Sequence, residues 1–200
     1  MKVTQELFSL EQYPVLSSRI HLLSLKISNA ATLNSLQEDI IDIGANYIAP
    51  IMDKINPRAA TRVNIYRSNH LELFVADRIG YERIILPHDH GELAEGWVYV
   101  IAGRVQNHVY NRESLKEISA EIHHSGSSFL IPRGILHADS NPVNERSITL
   151  NFFTPAVSRL KVYDFAERKV YRIRDEARPV IPEPQDILEI LPLQPLEASC

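Results

Sequence analysis

The sequence predicts an all-β barrel of the jelly-roll kind, preceded by a helical segment and followed by a proline-rich tail. Three observations carry that expectation. From Arg62 to about Ile173 the chain breaks into about ten short apolar-polar runs separated by turn residues. Before Arg62 the apolar residues recur at helix-like intervals, and the last 23 residues hold five prolines. Within the strand-rich region, two segments bring together three histidines at separations that suit one shared site.

Taken in order, residues 1–56 read as the helical segment. Leu22, Leu23, Leu25 and Ile27 form a mixed apolar run that periodicity leaves unassigned. Asn34 is a capping residue, and Ile40, Ile41, Ile43, Tyr47 and Ile48 follow at helical spacing. Gly44 and Pro50 weaken or end that helix. Asn56-Pro57-Arg58 marks the boundary with the barrel, residues 57–175.

Strands are expected over 62–67, 71–77, 82–87, 96–102, 104–111, 116–123, 128–131, 146–153, 158–164 and 168–173. The runs 63–67 and 71–75 alternate as half-buried antiparallel strands do. Prolines 179, 182, 184, 192 and 195 make residues 176–200 an extended tail, because proline removes backbone donors. Its apolar cluster, Ile187, Leu188, Ile190 and Leu191, is expected to pack on its own barrel or on a second chain.

Composition excludes several classes of partner. The chain is 44% hydrophobic and 23% charged, an ordinary globular balance. A net charge of −4 offers no basic footprint for nucleic acid. No apolar run approaches the roughly 20 residues that span a bilayer. The N-terminus shows no basic region followed by an apolar stretch, and the one cysteine is Cys200. A reducing, cytoplasmic home is expected, with the protein a monomer or homodimer.

His88 and His90, two apart on a segment entered from the run 84–86, turn their imidazoles to one side of a strand. Asp89 faces the other side, for arginine or backbone contacts. His137 follows the turn Pro132-Arg133-Gly134, from which it reaches across a barrel. The three read as metal ligands. Three neutral imidazoles cover one face of an octahedron and leave three positions for substrate and O2 at ferrous iron. They leave the ion's full charge to attract anionic donors. The same set also suits Zn2+ with a bound water, and neither Ni2+ nor Mn2+ is excluded. His21, His70, His108, His123 and His124 lack a partner at ligand spacing or lie in polar connections. Trp97 and Tyr99 read as core.

Gly80-x7-His88-x-His90 and Gly126-x5-Pro132-x-Gly134-x2-His137-x3-Asn141 resemble the paired motifs of the cupin superfamily. The first is two residues longer than usual; the second fits without adjustment. Cupins often add a glutamate ligand, and Glu95 and Gly96 are the positions in question. On a strand, Glu95 sides with Trp97 and Tyr99, and Gly96 with Val98 and Val100, which sets Glu95 apart from the metal.

More narrowly, the region from Arg62 to Phe153 resembles the cysteine dioxygenase (thiol dioxygenase) family. Its marks are Thr61-Arg62, Ile65-Tyr66-Arg67, Leu71-Glu72-Leu73, Pro87 to Gly91, Leu136 to Pro142 and Glu145-Arg146. The resemblance implies a non-heme iron(II) dioxygenase holding Fe2+ on the three histidines and the substrate carboxylate on Arg62, with Arg67 as the replacement. It departs at 149–153, where Thr149, Asn151 and Phe153 stand for the family's serine, histidine and tyrosine. Gly96 or its neighbour stands for the cysteine that some members cross-link to that tyrosine. Asn151, Phe153 and Tyr66 join Glu95 and Gly96 as possible pocket residues. The alternative function is a non-oxidative metal-binding cupin, a small-ligand sensor or a zinc-type lyase or hydrolase.

Overall fold

The computed structural model describes residues 8–28, 33–55, 62–79, 86–158, 160–174 and 182–193. The expected boundary at Asn56-Pro57-Arg58, Gly80, most of the strand expected over 82–87, and Cys200 lie outside them.

Helix α1 (Pro14–Ser28) opens on a proline, whose fixed φ and missing N–H suit a first helical turn. Its buried stripe, Leu16, Ile20, Leu23 and Ile27, resolves the unassigned apolar run: Leu23 and Ile27 face the core, and Leu22 and Leu25 face outward. A 3-10 turn, Leu33–Leu36, leads into α2 (Gln37–Asp42), which continues through a π-turn (Ile43–Ile48) and a 3-10 turn (Ala49–Ile51) into α3 (Met52–Ile55). The residue capping α2 is Leu36, without a side-chain cap, so the start expected at Asn34 is corrected. The 3-10 turn fills that place instead. Gly44 does not end the helix. A Cβ there would stand 2.5 Å from the Tyr99 ring, so glycine lets this turn lie directly on the sheet.

Twelve strands follow among the described residues, all paired antiparallel. They are β1 (Arg62–Arg67), β2 (Glu72–Ile79), β3 (His88–Asp89), β4 (Glu95–Ala102), β5 (Arg104–Tyr110), β6 (Glu117–His124), β7 (Ser128–Ile131), β8 (Leu136–Ser140), β9 (Arg146–Thr154), β10 (Lys161–Asp164), β11 (Lys169–Ile173) and β12 (Ile187–Pro192). One sheet runs β1-β2-β9-β4-β7 and the other β12-β11-β10-β3-β8-β5-β6.

Period-2 alternation decides which residues enter which layer. On β9, Ile148, Leu150 and Phe152 join the helices, Trp97 and Tyr99 in one apolar core. Phe153 points the other way and packs with Val98, Val100, Val105, Phe129, Ile131 and Val162 between the sheets. The helices therefore cover the outer face of the five-stranded sheet and leave its inner face to the barrel.

Part of the tail is a strand. β12 pairs with β11 from Ile187↔Ile173 to Pro192↔Lys169, at the edge of the larger sheet. Its backbone packs on its own barrel, yet Leu188, Ile190 and Leu191 stay exposed, contrary to a buried apolar cluster. The edge ladder, not side-chain burial, holds it. No helix among the described residues is long and apolar enough to cross a membrane.

Candidate metal centre

The central strands of the larger sheet bring the histidines together. β3 and β8 pair at His88↔His137, so these two imidazoles are direct cross-strand neighbours. His90 lies one residue beyond the end of β3, on the same side as His88. The rings of His88 and His137 have centroids 4.3 Å apart, and His90 lies 4.9 Å from one and 5.2 Å from the other. One donor atom from each falls within 4.8 Å of the others, the group of described His, Cys, Asp and Glu residues that can hold a metal ion.

Second contacts choose which nitrogens face inward. His88 Nδ1 lies 2.9 Å from the Leu86 carbonyl and His137 Nδ1 3.1 Å from Asn107 Oδ1, so in both rings Nδ1–H donates and Nε2 is left as the basic atom. His90 Nδ1 has no hydrogen-bond partner among the described residues. Its ring is held instead by stacking on Phe153, centroids 4.3 Å apart at 27°.

These residues fit a divalent ion. His90 Nε2 and His137 Nε2 stand 3.0 Å apart. Two nitrogens each about 2.1 Å from one ion lie about 3.0 Å apart at a right angle and about 3.4 Å at a tetrahedral one. All three rings are uncharged in the ligating sense. Burial, with the neighbouring His137, pushes His88 down to about 3. Burial beside Arg78 pushes His137 down to about 3. Burial, His88, His137 and then Arg62 hold His90 well below the ordinary imidazole value.

The other expected site residues separate into two groups. Arg62 stacks over Phe74, with its guanidinium carbon 3.7 Å from the ring centre, and Phe74 stacks on Phe153 at 6.0 Å. Arg62 also forms an ion pair with Glu72, which Arg67 shares at 2.8 Å. Gly96 lies under Phe153: a Cβ there would meet the ring at 2.4 Å. Asn151 faces inward and donates to Thr149 Oγ1 at 3.0 Å.

Two possible pocket residues lie elsewhere. Glu95 is outside the three-histidine group, on the strand face of Trp97 and Tyr99, and the β4 register runs unbroken from Glu95 to Val100. Tyr66 packs against the helical core, which corrects its place among the pocket residues. The β1 register shifts between Asn64 and Tyr66, and a bulge there turns the tyrosine away from the face that Arg62 occupies. His123, expected in a polar connection, is the last but one residue of β6 and stacks on Phe129 at 4.0 Å.

Sequence reasoning missed Asn107, Arg78 and Asp139. Arg78 and Asp139 are buried and loosely paired at 3.5 Å, behind His137. Inward parity was the available signal: Asn107 shares the face of Val105 on β5, and Arg78 shares the face of Phe74 on β2.

No family model matches the chain. Solved structures similar to it include an uncharacterized conserved protein with a double-stranded β-helix domain from Klebsiella pneumoniae, at 17% identity over 54% of this chain and 90% of that one, TM-score 0.45. Another is an oxalate oxidase in complex with the substrate analogue glycolate, at 19% identity over 43% of this chain and 42% of that one, TM-score 0.38. A third is the cupin domain of Cnp3 from Schizosaccharomyces pombe, at 10% identity over 47% and 59%, TM-score 0.40. In fold, two antiparallel sheets of five and seven strands face each other across the three imidazoles, and the described residues form an all-β barrel with helices on the outer face of the smaller sheet.

Proposed function

We propose that this chain is a non-heme iron(II) dioxygenase of the cysteine dioxygenase-like type, adding O2 to a small carboxylate-bearing substrate, with thiols first among the candidates. One observation carries the reading: three imidazoles, two buried and one half-buried, offer donor atoms within 4.8 Å of one another. Ferrous iron bound by them supplies a place for substrate and O2 together and a path for electrons between the two.

The chain's own residues do the rest. His88, His90 and His137 hold the ion, with Leu86 and Asn107 fixing two of the rings. Arg62 takes the substrate carboxylate in a two-point fork. Support comes from placement: Arg62 and Arg67 both pair with the carboxylate of Glu72, and the Arg62 guanidinium lies over the Phe74 ring that stacks on Phe153. Phe74 and Phe153 form an apolar wall between Arg62 and His90 that keeps water from the reacting atoms.

Phe153 also favours the second reading, a non-oxidative cupin acting as a small-ligand sensor or as a zinc-type lyase or hydrolase. The ring against His90 carries no hydroxyl, where thiol dioxygenases present a tyrosine. One experiment separates the two. The metal content of protein as purified is measured, and the protein loaded with Fe(II) is then screened in an oxygen electrode with cysteine, 3-mercaptopropionate and small carboxylates. The expected outcome is O2 uptake matched by sulfinate, RSH + O2 → RSO2H. No uptake with any thiol discards the thiol version, and zinc with no uptake at all favours the non-oxidative one.

A further inference from the structure

The segment that carries two of the three ligands is held by little backbone. β3 has two residues, with two partners on β10 and one on β8. Something else must fix it against the segment that delivers His137.

That role falls to an arginine from a turn without ligands. Arg112 lies between β5 and β6, and its Nη2 reaches Asp89 Oδ2 at 3.1 Å. Asp89, on the far side of β3 from the imidazoles, is buried, accepts from the Gly91 N–H at 2.9 Å, and accepts from the Tyr163 hydroxyl at 2.6 Å. The Nε–H of the same arginine donates to the Gly134 carbonyl at 2.6 Å, three residues before His137. The Gly134 N–H in turn donates to the Gly91 carbonyl at 3.1 Å. One guanidinium therefore spans both ligand-bearing segments.

We propose that Arg112 is a positioning residue of the metal centre: through Asp89 and the Gly134 carbonyl it locks His88 and His90 into register with His137, with Tyr163 completing the brace. This rests on the metal reading of the three histidines. The turn that presents Arg112 is built without its side chain. Asn111 Oδ1 accepts from the N–H groups of Glu113 and Ser114 at 2.9 and 2.7 Å, and Leu115 N–H donates to the Asn111 carbonyl at 2.8 Å. The Arg112 side chain is 41% exposed, so its replacement leaves the backbone of the turn in place, although buried Asp89 loses its cation.

The test titrates metal-free protein with Co(II), in competition with a chelator, and follows both affinity and the visible absorption of the bound ion. Arg112→Met and Tyr163→Phe are each expected to weaken binding about 10- to 100-fold, the usual cost of losing an outer contact to a ligand. Both should alter the Co(II) spectrum while the metal-free protein stays folded by circular dichroism, with a midpoint lowered only by the loss of one partner to buried Asp89. Arg112→Lys, which restores the charge on Asp89 without the fork to Gly134, should recover part of the affinity. Wild-type affinity and spectrum in both variants overturn the brace, as does an affinity loss seen only where the metal-free variant is unfolded. His137→Ala separates the two levels. If wild type binds no more Co(II) than that variant, the metal reading itself falls, and the brace with it.

Discussion

The two flanks of the histidine cluster hold the same chemical group by different physics. On one flank, His88 and His137 sit in a strand ladder, and each has Nδ1 fixed by a directional hydrogen bond, to Leu86 and to Asn107. On the other, His90 lies past the end of its strand, has an Nδ1 without a hydrogen-bond partner among the described residues, and is held through the face of Phe153. Each flank also has its own buried or half-buried cation, Arg78 behind His137 and Arg62 beyond Phe74. A hydrogen bond fixes tautomer and direction together. A stack fixes the plane of the ring and leaves its tautomer open. The first flank is thus prepared for a metal before one arrives, and the second is completed by it.

Acid is the strongest way to test what the flanks share. All three rings are held below the ordinary imidazole value by burial, so the folded metal-free protein leaves them neutral where the unfolded chain protonates them. The unfolded state then binds more protons, and stability falls as pH drops below about 6.5. Each histidine contributes about 1.4 kcal/mol per pH unit to that slope until its folded value is reached. For His88 and His137 the folded value is about 3. Urea unfolding of metal-free protein between pH 7.5 and pH 5, a window chosen to lie above most carboxylates, should show the fall beginning near the unfolded histidine value. A flat profile would mean that the rings accept protons without unfolding. Bound metal should move the onset to lower pH.

The hydrogen-bonded flank can then be broken alone. Asn107→Leu keeps the volume near that of the amide and removes the acceptor for His137 Nδ1–H, which frees the ring to take the other tautomer. Metal affinity should fall about 10- to 100-fold, measured by chelator competition. Asn107→Asp, which keeps an acceptor oxygen, should retain most of it. Equal affinities in all three proteins would show that the ladder alone orients His137.

The sequence carried much of this arrangement, and the limits have physical causes. The inward set Thr149, Asn151 and Phe153 was legible through the family resemblance, whose alternating positions it occupies, and β9 does alternate between two buried layers. The convergence of His88, His90 and His137 was legible from spacing alone. β8 was not drawn as a strand, since all five of its residues are buried and four of them, His137 to Ser140, are polar or small. The same holds for β12, where prolines suggested a tail and the free edge of β11 supplied a ladder. Tyr66 was misplaced by a bulge, an offset of one residue that no pattern of alternation announces. Asn107 and Arg112 depend on which strand lies beside which, a fact of long-range pairing that spacing along one chain does not contain.

The smallest expected effect lies on the stacked flank and says most about it. Phe153→Leu keeps an apolar wall and removes the ring face on which His90 rests. An aromatic pair contributes about 0.5–1.5 kcal/mol beyond its buried area, so metal affinity should fall only about 2- to 12-fold. The loss should be smaller than that of Asn107→Leu if stacking and hydrogen bonding divide the work as proposed. Phe153→Tyr keeps the ring, and its hydroxyl projects from the far edge of a side chain already seated over Gly96. That variant should hold metal as wild type does, which makes it the cleanest test of whether a hydroxyl, rather than the stack, governs O2 uptake. A Phe153→Leu protein that loses metal as severely as His137→Ala would instead mean that the ring, and not the coordination itself, keeps His90 in the site.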